Sequence, residues 1–151
     1  MAQTDLTSLP EGPLLALDPG SKTIGVAVSS SDRKIITPVE TIIRTKFTAD
    51  ATRVFALYDE FDCGGLVIGL PVNMDGSSGP RVQSARALGT NLLRLRDIPV
   101  AYQDERLSTH AAEDKLIALG MKRDARDAVI DAYAAAIILQ SAIEAIEAGR
   151  T

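Results

Sequence analysis

The sequence predicts an α/β fold: a mixed sheet in which a three-strand antiparallel meander is joined by parallel strands, with helices on both faces. Three observations predict it. The first 45 or so residues hold three short apolar runs separated by turn residues, whereas helical periodicity alternates with short apolar runs from about residue 50 onward. A chain of 151 residues with 46% hydrophobic and 24% charged residues is also the size and mixture of one globular core.

The elements follow in order. "MAQTDLTSLPEG" is polar with prolines nearby and reads as a flexible tail over residues 1–12, leaving residues 13–148 as the single domain. In "LLALDPGSKTIGVAVSS", Leu14 to Asp18 and Ile24 to Ser29 read as strands around a turn at Pro19-Gly20-Ser21. "KIITPVETIIR" supplies a third strand. Pro38 cannot donate to a ladder, which predicts an edge or a bulge there.

Val54, Leu57, Tyr58 and Phe61 then recur at helical spacing behind a capping Thr48 or Asp50. "GGLVIGLPV" is a continuous apolar run, as expected of a strand covered on both faces. A helix starts at Pro80, behind Ser78 and Gly79, and turns Val82, Ala85, Leu88, Leu92 and Leu95 inward. "IPVAYQDE" is the next strand, Ser108 caps a helix ending at Gly120, and the longest helix runs from about Asp127 to Ala148. Strand-helix-strand units with short links require parallel neighbours, and sites in such sheets form where strand ends meet loops.

Composition excludes several classes of protein. Cys63 and His110 are the single cysteine and histidine, so neither a disulfide framework nor a zinc cluster can be built. No apolar run approaches a membrane span, and the N-terminus lacks the pattern of a signal peptide, which predicts a cytoplasmic protein without membrane contact. A net charge of −4 argues against coating nucleic acid by bulk attraction and leaves room for a metal-dependent site.

Three carboxylates stand out. Asp18 ends the first strand, where it is either the acceptor of an Asx turn or a ligand. Glu105, at the end of "IPVAYQDE", either pairs with Arg106, flanks a helix N-terminus, or is a second ligand. Asp131 lies on a line with Ala134, Ile138 and Ala142, small and apolar residues suited to pressing on the sheet, while Asp124 and Asp127 already serve as first-turn acids. Three acids converging at one sheet edge repel one another unless divalent cations neutralise them. Oxygen ligands without imidazole or thiolate suit Mg²⁺ or Mn²⁺, and such ions clamp the attacking and leaving oxygens of a phosphodiester displacement.

"LALDPGSKTIGVAVS", "VIGLPVNMDGSSGPRVQSAR", "VAYQDERLST" and "VIDAYAAAIILQ", in this order, resemble the YqgF/RuvX family of ribonuclease H-like proteins. The resemblance spans Leu14 to about Ile146. It implies a magnesium-dependent nuclease that matures the 5′ end of the small-subunit (16S) ribosomal RNA precursor, or a Holliday junction resolvase acting on branched DNA. By motif, Asp18 would bridge the metals and Glu105 and Asp131 would each complete one shell. Lys22, Arg81 and Arg106 would hold phosphate, Arg81 from a helix N-terminus whose free N–H groups also suit it.

Two positions depart from the wider superfamily. Its nucleases draw an essential carboxylate from the strand corresponding to "LVIGLP", where this chain has Gly69-Leu70-Pro71, so Glu105 must substitute from another strand. The last helix of those enzymes often carries two acids three apart, but position 128 is Ala. Strand alternation sets Asp104 and Glu105 on opposite sides and favours Glu105. "NMDGSSGP" lacks the Gly-Lys-Ser/Thr ending of a P-loop and reads as a substrate-side loop with a helix cap. Two other readings stand beside the nuclease: an actin-like nucleotide-binding fragment, for which 151 residues are short, and a non-catalytic RNA-binding factor of ribosome assembly. Both monomer and homodimer are compatible with the sequence, symmetric junction cleavage requiring the dimer.

Overall fold

A computed structural model describes residues 5–71, 79–104 and 123–149, the side chains of the last helix from residue 130 onward. The expected helix from Ser108 to Gly120 and the loop of residues 73–78 lie outside the described residues.

Five strands form one sheet: β1 (Leu14–Pro19), β2 (Thr23–Ser29), β3 (Ile36–Ile43), β4 (Gly65–Leu70) and β5 (Val100–Asp104), in the order β3-β2-β1-β4-β5. β1 pairs antiparallel with β2, and β2 with β3, while β4 runs parallel to both β1 and β5. The meander with parallel additions is therefore the observed topology. β3 is an edge strand, and its register slips where Val26 opposes Glu40 but Ala27 opposes Pro38. Val39 is the extra residue. Proline removes one ladder donor, and the bulge accommodates that loss at an edge.

Helices α1 (Phe47–Glu60) and α2 (Pro80–Leu95) cover one face and α3 (Arg123–Gly149) the other. The two-residue period of a strand divides β1 between them. Leu15 and Leu17 pack with Val54, Leu57, Leu88 and Leu92, whereas Leu14 and Ala16 pack with Ile138, Leu139, Ala142 and Ile146 of α3. β4 is buried along its whole length, as its apolar run requires. Each large aliphatic side chain of α3 removed from water contributes roughly 1.5–3 kcal/mol, which fixes the helix on the sheet.

Four features differ from the sequence expectations. The tail read as ending at residue 12 packs from Leu6 onward: Leu6–Ser8 form a 3-10 turn and Leu9 joins the core beneath α3. Arg33, in the β2–β3 turn, holds this segment by donating to the carbonyls of Gly12 and Pro10. Neither Thr48 nor Asp50 is the N-cap of α1, which is Lys46. Asp50 instead reaches back from inside the first turn and accepts the Thr45 N–H at 3.1 Å, satisfying a backbone donor just before the helix.

Leu95 is 56% exposed although Val82, Ala85, Leu88 and Leu92 are buried as expected. Leu95 is the last residue of α2, immediately before its C-cap Arg96, and stands at the end of the packed stripe. Finally, α3 begins at Arg123, so Asp131 stands more than two turns inside it. That position removes the first-turn account of this acid.

Candidate active site

The site begins with a close approach of backbones. Asp18 and Gly25 are direct partners across β1 and β2, so their side-chain positions lie on the same face of the sheet. That face is the one under α3. A Cβ built on Gly25 would stand 1.9 Å from the carbonyl oxygen of Asp131, so the α3 backbone rests on the strand there. Only glycine permits this contact. Asp18, half-buried, thus emerges beside the turn of α3 that carries Asp131.

Two residues from Gly25 on the same face, the Thr23 hydroxyl donates to Oδ2 of Asp131 at 2.6 Å. Thr23 also closes the β1–β2 turn, its carbonyl accepting the Gly20 N–H at 2.8 Å. Arg44 braces that turn from outside, one guanidinium N–H donating to the Gly20 carbonyl at 2.6 Å and its backbone N–H to the Lys22 carbonyl at 2.9 Å. Sequence reasoning missed Thr23, Gly25 and Arg44. A glycine within the strand "TIGVAV" was the available signal for a close approach.

The β1–β4 register, with Leu17 opposite Ile68, sets Gly69 beside Asp18 one step further on, and Gly69 in turn opposes Gln103. The β4 position where the resemblance led an acid to be expected, Gly69, therefore carries no side chain. Ala101 packs with α3, so Gln103 belongs to the same face and the exposed Asp104 to the other. Glu105 and Arg106 lie outside the described residues.

The two remaining cations stand on elements that come together at the end of β1. Lys22 is exposed in the β1–β2 turn, and Arg81 is exposed in the first turn of α2. A cavity of about 260 Å³ joins the two elements, lined by Pro19, Gly20 and Ser21 on one side and Pro80, Arg81 and Ser84 on the other. The fold thus sets the Asp131 backbone on Gly25, the cross-strand partner of Asp18, and brings the elements that bear Lys22 and Arg81 together at the end of β1.

The donors suit a hard cation. Among the described residues no group of three His, Cys, Asp or Glu side chains stands together, and two of the three expected acids share the α3 face. Cys63, by contrast, packs with the core on the α1 and α2 side. Burial, with Asp62 and Asp59 nearby, pushes its thiol up to about 12. A thiol held protonated is a poor ligand and a poor nucleophile.

The same shift predicts an alkaline weakness. The free thiol ionises near 9.0, so between pH 9 and pH 12 the unfolded chain gives up a proton that the folded chain keeps. Stability is complete below pH 9 and falls as pH rises through that window. Urea midpoints measured from pH 8 to 11 should decline in the wild type and decline less in Cys63→Ala; parallel slopes would refute this.

The chain matches the RuvX family, described as Holliday junction resolvase, over residues 12–145. It is 55% identical over 137 residues to the "Putative pre-16S rRNA nuclease" of Rhodopseudomonas palustris strain BisB5, covering 91% of this chain and 86% of that protein. A protein of the same name from Nitrobacter hamburgensis is 54% identical over 133 residues, covering 88% and 82%. In structure the chain is similar to Thermus thermophilus RuvC in complex with a Holliday junction substrate. The TM-score is 0.55 at 15% identity, over 89% of this chain and 96% of that one, a likeness of fold alone. The α/β, ribonuclease H-like sheet expected from the sequence is the fold observed. With the family matched from residue 12 to residue 145 and relatives above half identity along nearly the whole length, the chain belongs to the RuvX family.

Proposed function

We propose that this protein is a metal-dependent nuclease that hydrolyses phosphodiester bonds in structured nucleic acid, with the 5′ end of the 16S ribosomal RNA precursor as its substrate. The carrying observation is the seating of the Asp131 backbone on Gly25, the cross-strand partner of Asp18, near the strand end where the elements bearing Lys22 and Arg81 come together. The names of the relatives above half identity support the RNA substrate. Among the described residues no helix is long and apolar enough to cross a membrane.

Asp18, Asp131 and Glu105 are the proposed ligands for Mg²⁺ or Mn²⁺. Oxygen donors of this kind match either ion. Glu105 rests on the two-residue period that puts Ala101 and Gln103 on the α3 face, and on the bare Gly69 position that leaves room for an acid from β5's side. When bound, the cations lower the pKa of water and neutralise charge that develops on the phosphate. Asp18 would act as a ligand from a rigid buried strand, and the backbone carrying Asp131 rests on β2 at Gly25. Lys22, Arg81 and Arg106 hold the phosphate oxygens, with the α2 N-terminus adding to the field at Arg81.

Branched DNA is the second reading, favoured by the family's description as a junction resolvase. A direct comparison separates the two. The protein is incubated with Mn²⁺ and either a precursor fragment spanning the 5′ end of 16S rRNA or a four-way DNA junction. The RNA is expected to be cut and the junction left intact. Paired nicks in the junction with intact RNA would establish the resolvase instead, and salt-sensitive RNA binding without cleavage would mark an assembly factor.

A further inference from the structure

We propose that Thr23 is a positioning residue for this site, its hydroxyl holding the Asp131 carboxylate in the orientation that ligation requires. The inference rests on the reading of Asp131 as a ligand and adds the group that orients it. Nothing in the motifs pointed to Thr23, which lies 108 residues from Asp131 in the chain.

Three observations carry the proposal. The separation of 2.6 Å is that of a hydroxyl donating to a carboxylate, the shorter and stronger kind of hydrogen bond. Thr23 is β-branched and lies in a strand, so few rotamers are open to it and the hydroxyl is delivered from a stiff mount. The backbone of residue 131 is already fixed by its contact with Gly25, which leaves side-chain rotation as the remaining freedom of the acid. The hydrogen bond to Oδ2 removes that freedom and leaves Oδ1 to a further partner.

Thr23 also joins two parts of the site. Its carbonyl closes the turn that carries Lys22, and its hydroxyl reaches α3. Groups that orient metal ligands in this way typically change metal affinity by about 10- to 100-fold when they are removed.

The test compares Thr23→Val, which keeps the branched shape and deletes the hydroxyl, with Thr23→Ser, which keeps the hydroxyl. Mn²⁺ affinity is measured by calorimetry, and the ¹³Cγ resonance of Asp131 is followed in the metal-free protein. Thr23→Val is expected to weaken Mn²⁺ binding by about ten-fold or more and to move the Asp131 resonance, with Thr23→Ser close to wild type in both. A Thr23→Val protein that matches wild type in both measurements overturns the proposal, as does a Thr23→Ser protein as impaired as Thr23→Val. If wild type binds no Mn²⁺ while the resonance still moves in Thr23→Val alone, the metal reading falls and the positioning role stands. If neither is seen, both fall.

Discussion

Asp18→Asn is expected to slow Mn²⁺-dependent cleavage on the order of a thousand-fold while leaving the melting temperature within about 2 °C of wild type or above it. The substitution separates the two roles that a strand-end aspartate can play. Asparagine forms the same Asx turn as aspartate and occupies nearly the same volume, so a turn residue would tolerate it. A shared ligand would not, because the amide carries no charge to balance a divalent ion. Several kcal/mol of transition-state stabilisation reside in such an ion, and about 1.4 kcal/mol corresponds to each ten-fold in rate.

The fold should survive the change. The β1–β2 turn is closed by the Gly20 N–H on the Thr23 carbonyl and braced by Arg44 on the carbonyls of Gly20 and Lys22, bonds that do not involve the Asp18 charge. Equal cleavage by wild type and variant in a purified preparation would sink the assignment of Asp18.

Much of this arrangement was legible in the sequence because it rests on local chemistry. The apolar run before Asp18 marks a rigid strand end. The line from Asp131 through Ala134, Ile138 and Ala142 marks the packed stripe of α3, and all three of those residues are buried. Pro38 marked the edge strand and its bulge. What was not legible depends on pairings between distant segments. Gly25 was visible as a glycine in a strand, but nothing local says that α3 would rest on it. The Thr23–Asp131 bond is likewise a product of register, and so is the burial of Leu9, which needs the Arg33 contacts with Gly12 and Pro10 to hold its segment down. The start of α3 was likewise not legible: the helix begins at Arg123, four residues before its expected start.

Gly25→Ala is expected to destabilise the protein by about 3 kcal/mol and to remove cleavage with it. A methyl group is ordinarily an inexpensive addition, and in a strand alanine loses less conformational entropy on folding than glycine does. Here the new Cβ would meet the Asp131 carbonyl oxygen at 1.9 Å, its carbon at 2.3 Å and the Ala132 nitrogen at 3.0 Å. All three are backbone atoms of a long helix. No side chain can swing aside to make room, so α3 must lift from β2 by more than an ångström in the neighbourhood of the contact. Lifting it strains the packing of Ala135 and Ala136 on Ala27 and, further along, of Ile138 and Leu139 on β1.

The same displacement carries Asp131 away from both Thr23 and Asp18, so the structural and chemical losses have one cause. Urea denaturation reads the first and the nuclease assay the second. Asp18→Asn and Gly25→Ala therefore form a pair: the first is expected to lose cleavage at full stability, the second to lose both together. A Gly25→Ala protein as stable as wild type would show that α3 does not rest on this strand, and the convergence of the two acids would go with it.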